Sequence, residues 1–162
     1  MKKILIYLLL AATVFAFASC KDNQTPPAEE GKTYTFTSGT TKIAINAEAA
    51  PILASLGEWS DYAESVSCAF EGLDKIYIYP GFELQTYPME GKDFVYMIIL
   101  QDDTVATEKG IRIGAQKDAV TAAYGTPDKE TATALTYNGK GMYLQFILRD
   151  GTVTSIQYGY AE

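Results

Sequence analysis

The chain has 162 residues, a formal net charge of −7 and no histidine. The missing imidazole excludes Ser-His-Asp and Cys-His catalysis and the common zinc sites. The acidic balance argues against nucleic acid as a partner and against direct docking on anionic lipid, since both would repel it.

Lys2 and Lys3 open the chain, and Ile4 to Phe17 follows without a charge. That run has the length of a signal-peptide apolar region and is short for an ordinary spanning helix. It ends in Phe17-Ala18-Ser19-Cys20, followed by the polar run Lys21-Asp22-Asn23-Gln24. Small residues ahead of a cysteine at this place resemble the bacterial lipobox, although Phe17 stands where that pattern prefers Leu, Val or Ile. The resemblance implies a lipoprotein signal peptide over residues 1–19 and lipidation of Cys20. The mature protein would then be lipid-anchored on the extracytoplasmic side of the cell membrane. The competing reading is an ordinary secretory signal, or a membrane anchor, with a coincidental cysteine. Cleavage would remove two of the 13 basic residues and none of the 20 acidic ones, leaving the chain more acidic still. A single acyl chain holds a protein weakly, so a second retention aid is expected.

Residues 20–32 contain Pro26-Pro27 and paired glutamates but no apolar periodicity, and read as a flexible tether. One globular domain is expected over residues 33–162. Thr33 to Ile45 alternates and is rich in Thr, Tyr, Phe and Ile, which predicts one or two strands turning at Ser38-Gly39. Ala47 to Leu56 is Ala-rich and predicts a short helix stopped by Gly57, with Pro51 tolerated in its first turn. Glu58 to Val66 is ambiguous. Cys68 to Phe70 reads as a strand turning at Glu71-Gly72, with Cys68 buried. Lys75 to Tyr79, Phe82 to Tyr87 and Phe94 to Gln101 read as an antiparallel meander. Its turns fall at Pro80-Gly81, Glu90-Gly91 and Asp102-Asp103. Lys117 to Tyr124 predicts a second short helix, ended by Gly125 with Pro127 just beyond. Three strands follow, at Ala134 to Tyr137, Met142 to Leu148 and Val153 to Tyr158, with turns at Asn138-Gly139 and Asp150-Gly151.

The two halves share a plan. Each is a short helix closed by glycine, then a tyrosine-rich meander. Asp103-Thr104-Val105 and Gly151-Thr152-Val153 also correspond. The fold class expected is therefore α+β, built from two degenerate helix-plus-antiparallel-meander repeats over about 33–107 and 108–162. The short helices would pack on one face of an antiparallel sheet.

Gly110-Ile111-Arg112-Ile113-Gly114, Asp118, Val120 and Tyr124-Gly125-Thr126-Pro127 form the most informative signature. Tyr143-Leu144-Gln145-Phe146 and Asp150-Gly151-Thr152-Val153 follow it. Together they resemble the helix–sheet unit shared by β-lactamase-inhibitory-protein-like domains and small outer-membrane-assembly lipoproteins. The resemblance is clear over Gly110 to Tyr158 and weaker over Ala47 to Val105. It implies helices on one sheet face and an open, often concave, opposite face, which binds an enzyme in the inhibitory proteins. No inhibitory residue set can be carried over position by position, so fold is transferred and activity is not.

If Cys20 carries lipid, Cys68 has no disulfide partner. A nucleophilic role for Cys68 would need an unusual base. Glu58, Asp61, Glu64, Glu71 and Asp74 could in principle supply paired carboxylates for glycoside hydrolysis, but acidic loops in an acidic protein are ordinarily just solvated. Asp102-Asp103 lacks the spaced oxygens of a calcium loop, and Gly110 to Gly114 lacks the Lys-Ser/Thr ending of a phosphate loop. No enzymatic activity, cofactor or metal site is expected.

The remaining signal is aromatic: 12 tyrosines, one of them, Tyr7, inside the signal. In Ile76-Tyr77-Ile78-Tyr79 the two residue types alternate in facing. In Met142 to Leu148, Met142, Leu144, Phe146 and Leu148 share one face, with Tyr143, Gln145 and Ile147 on the other. If the aliphatic face meets the helices, the open face carries Tyr77, Tyr79 and Tyr143, joined by Tyr87 and Tyr96. Such a face suits binding a protein or an envelope polymer. Ordinary cross-strand aromatic pairing is the competing explanation. Three functions are in play: a membrane-tethered binding module, a structural or assembly lipoprotein scaffolding an envelope complex, and, third, a hydrolase.

Overall fold

A computed structural model describes residues 31–161. Cys20, the signal peptide and nearly all of the expected tether lie outside the described residues. Phe36 and Ile43 place one apolar side chain on each arm of a hairpin, β1 (Thr35–Ser38) with β2 (Thr41–Ala44). Helix α1 (Ala49–Leu56) follows. Pro51 sits in its first turn, where backbone N–H groups have no partner within the helix to lose. Gly57 ends it, its N–H donating to the Leu53 carbonyl at 3.1 Å.

Four strands come next: β3 (Asp61–Val66), β4 (Leu73–Tyr79), β5 (Phe82–Met89) and β6 (Lys92–Leu100). Helix α2 (Lys117–Tyr124) is ended by Gly125, whose N–H donates to Thr121 at 2.9 Å. Then come β7 (Lys129–Thr131), β8 (Ala134–Gly139), β9 (Met142–Arg149) and β10 (Thr152–Tyr160). These eight strands form one antiparallel sheet in the order β3-β4-β5-β6-β10-β9-β8-β7. The fold is thus mostly antiparallel sheet with two short helices.

Register explains the core. One cross-strand row reads Tyr62, Tyr77, Leu84, Ile98, Tyr158, Leu144, Tyr137. The next reads Tyr79, Phe82, Leu100, Ile156, Phe146, Leu135. Apart from the edge residue Tyr62, all of these side chains are buried. Ile52 of α1, Val120 of α2, and Phe36 and Ile43 of the hairpin join the same cluster, so both helices and the hairpin cover this one face. Each large apolar side chain buried this way contributes about 1.5–3 kcal/mol.

Two local expectations are corrected, and two edge strands are added. Cys68 to Phe70 is not a strand but part of the β3–β4 turn, and Cys68 is exposed rather than buried. The ambiguous stretch after α1 holds edge strand β3, exposed along its whole length. β7, unforeseen, is a three-residue edge strand too short to show alternation. The turn expected at Asn138-Gly139 lies two residues later: Gly139 pairs with Met142, and Gly141 supplies the left-handed φ of 62°. The turn at Asp150-Gly151 stands as expected, both residues having positive φ, the pattern that matches strand twist in a tight hairpin.

Candidate functional site

The face opposite the helices is uncovered over most of its area. Alternation along each strand and the pairing register place two rows on it. The first runs Ala63, Ile76, Gln85, Met97, Gly159, Tyr143. The second runs Asp61, Ile78, Glu83, Ile99, Gln157, Gln145, Thr136. Most of these side chains are half-buried, each flanked by its neighbours and open above. Polar members are tied to one another: Gln145 donates to the Thr136 hydroxyl at 2.9 Å, and Gln101 donates to Glu83 at 3.0 Å. Tyr143 lies across Gly159, where a Cβ would overlap the tyrosine ring. Burial raises the Tyr143 pKa, so its hydroxyl stays a neutral donor and acceptor at physiological pH.

The five tyrosines expected on this face divide. Tyr143 and Tyr96 are on it, Tyr96 exposed and placed at the bulge between Val95 and Met97. Tyr87 is on it but buried: Phe70 of the β3–β4 turn lies 5.0 Å from its ring, and its hydroxyl donates to the Asn46 side chain at 2.5 Å. Tyr77 and Tyr79 are not on it. They point into the helix-covered core at 5% exposure, while Ile76 and Ile78 take the open face. The physical reason is reach. The Tyr79 hydroxyl crosses the core to the Gly57 carbonyl at 3.3 Å, and Tyr137 does the same to Gly125 at 3.0 Å. Both satisfy a helix-terminal carbonyl that an isoleucine would leave unpaired.

Sequence reasoning missed the aromatic cluster at the lower end of this face, made by Phe70, Tyr87, Phe94, Tyr96 and Tyr160. Their spread over four segments hides it from any local pattern. It also missed Trp59, which with Tyr62 and Tyr77 forms a second cluster beside the end of α1. Of the carboxylates considered for hydrolysis, Glu64 and Asp74 border one groove but belong to opposite faces of the sheet. Glu64 accepts from the Tyr62 hydroxyl on the core side, which raises the tyrosine's pKa, whereas Asp74 belongs to the open side. Among the described residues there is no group of side chains fit to hold a metal ion, and no helix is long and apolar enough to cross a membrane.

No protein-family model, curated protein or solved structure matches this chain.

Proposed function

We propose that this chain is a lipid-anchored extracytoplasmic lipoprotein whose folded part is a non-enzymatic binding module for a protein or envelope polymer. Cys20 carries the anchor, and the uncovered sheet face carries the binding. The observation that supports the binding role is that face itself. It is a continuous surface of Ile76, Ile78, Met97, Ile99 and Tyr143 interleaved with Gln85, Gln157 and Gln145, left open by a fold that buries most of the other side. Half-buried apolar side chains with fixed amides between them offer rigid contact area and directional hydrogen bonds together.

The same reading includes two degenerate repeats related to the inhibitory-protein-like unit. In its support, Val95 of β6 and Val153 of β10 each receive the segment entering a helix in the same way. The Val95 N–H donates to the Ala47 carbonyl and the Val95 carbonyl accepts from the Asn46 N–H; the Val153 N–H donates to the Ala115 carbonyl and the Val153 carbonyl accepts from the Gly114 N–H. Asn46 and Gly114 both have positive φ, and so do the paired turns Glu90-Gly91 and Asp150-Gly151.

The test is photo-crosslinking in cells. A photoreactive residue at Gln157, on the open face, should yield a discrete adduct, whereas one at Asp118, on the exposed side of α2, should not. Adducts from neither position would sink the binding role, and equal adducts from both would favour a scaffold embedded on all sides. A fatty-acid probe should label the wild type and leave Cys20→Ala unlabelled; label persisting in that variant would refute the anchor.

A further inference from the structure

At the lower end of the open face the β3–β4 turn stands over the sheet and encloses a groove of about 420 Å³. Its lining combines the apolar side chains Phe70, Tyr87, Tyr96 and Ile76 with polar residues such as Ser65, Ser67 and Gln85. Phe70 and Tyr87 have ring centroids 5.0 Å apart, and Tyr96 stands edge-on to Tyr87, their planes at 80°. Phe70 and Tyr96 are both more than two-fifths exposed, so their rings are free to meet a ligand.

Three charged residues complete the lining, Glu64, Asp74 and Lys75. Glu64 accepts from the Tyr62 hydroxyl, which leaves Asp74 as the carboxylate without a partner. Asp74 pairs with Ser65 across the β3–β4 ladder and is half-buried. The ion pairs among the described residues are Lys75–Asp93, Lys92–Glu48 and Lys117–Glu130, and none uses Asp74. Lys75 borders the groove, but its ammonium is engaged by Asp93 at 2.7 Å. The groove therefore presents ring faces with negative quadrupoles and one carboxylate, Asp74, that no ion pair among the described residues engages, in a chain of net charge −7.

We infer that this groove binds a small organic ammonium ion. The rings would enclose the alkyl-substituted nitrogen, Asp74 would balance its charge, and the chain's acidic field would draw it in. A neutral ligand of the same shape would gain the apolar contacts but leave Asp74 partly desolvated without compensation. The inference rests on the open face being the binding surface and names the ligand class at one end of it.

The test is calorimetric titration of the purified full-length protein in detergent. The probes are choline, its neutral isostere 3,3-dimethylbutan-1-ol, and an oligo-arginine peptide. Choline should bind saturably and the isostere should not. Asp74→Asn and Tyr96→Ala should each weaken choline about tenfold, the size of one lost charge or cation–π contact. Asp118→Asn, on the exposed side of α2, should leave choline affinity unchanged. Equal binding of the isostere, an unaffected Asp74→Asn variant, or binding of oligo-arginine without choline would overturn the inference. Adducts at Gln157 with no choline binding would remove this site while leaving the open-face reading in place.

Discussion

Tyr137 and Tyr158 show at single-residue scale how differently one side chain type is used. Both are fully buried in the same sheet face. The Tyr137 hydroxyl donates to the Gly125 carbonyl, whereas the Tyr158 hydroxyl is buried with no partner among the described residues. Removing a made hydrogen bond costs about 1 kcal/mol, and removing an unpartnered buried hydroxyl relieves a desolvation penalty. Tyr137→Phe should therefore lower unfolding free energy by about 1 kcal/mol. Tyr158→Phe should be neutral or stabilising by up to about 1 kcal/mol. Urea denaturation of the two variants checks this, and a larger loss for Tyr158→Phe would contradict the assignment. This scale is also where the sequence misled. Ile76-Tyr77-Ile78-Tyr79 alternates cleanly, but alternation between two apolar types says nothing about which type faces the core. In the structure the Tyr79 hydroxyl reaches the Gly57 carbonyl at the end of α1, a contact between separate segments that the local pattern does not encode.

At the scale of elements, the helices depend on how they stop. Gly125 holds φ 82° and ψ −158°, and Gly57 holds nearly the same pair, a backbone region that only glycine occupies without strain. A Cβ at either position would meet nothing within 4 Å. Any cost of substitution there is torsional and not steric. Gly125→Ala should destabilise by about 1–3 kcal/mol with the sheet intact. Thermal unfolding followed by circular dichroism would register it as a lowered midpoint with an unchanged native spectrum; an unshifted midpoint would show that the helix end relaxes freely. Helix ends were legible in sequence because Gly57, Gly125 and Pro127 act locally. Edge strands were not. β3 is exposed at every position and β7 has three residues, so neither carries a periodic pattern.

Over the whole molecule, the tyrosines set the response to alkali. Burial raises the pKa values of Tyr77, Tyr79, Tyr124 and Tyr158, and pushes Tyr137 up to about 12. In the unfolded chain these groups would titrate near 10.0. Above that pH the unfolded state binds fewer protons than the native state, so stability falls as pH rises. With no histidine to titrate near neutrality, unfolding free energy should be flat from about pH 6 to 9 and drop steeply between about 10 and 12. The share of tyrosinate absorbance from these rings should then appear cooperatively with loss of structure; complete gradual titration in a folded protein would refute their burial. The sequence by itself determined both helices, the hairpin β1–β2, six of the eight sheet strands and the two faces of β9, because turn glycines and period-two patterning act within a few residues. It also carried the lipobox-like run ending at Cys20, on which the proposed anchor rests. Tertiary structure alone decided which face of β4 is buried, that Cys68 is exposed, and that Phe70, Asp74, Tyr87 and Tyr96 meet around one groove. Those outcomes depend on pairing register between strands far apart in the chain, and register is settled by the packing of the whole sheet against its helices.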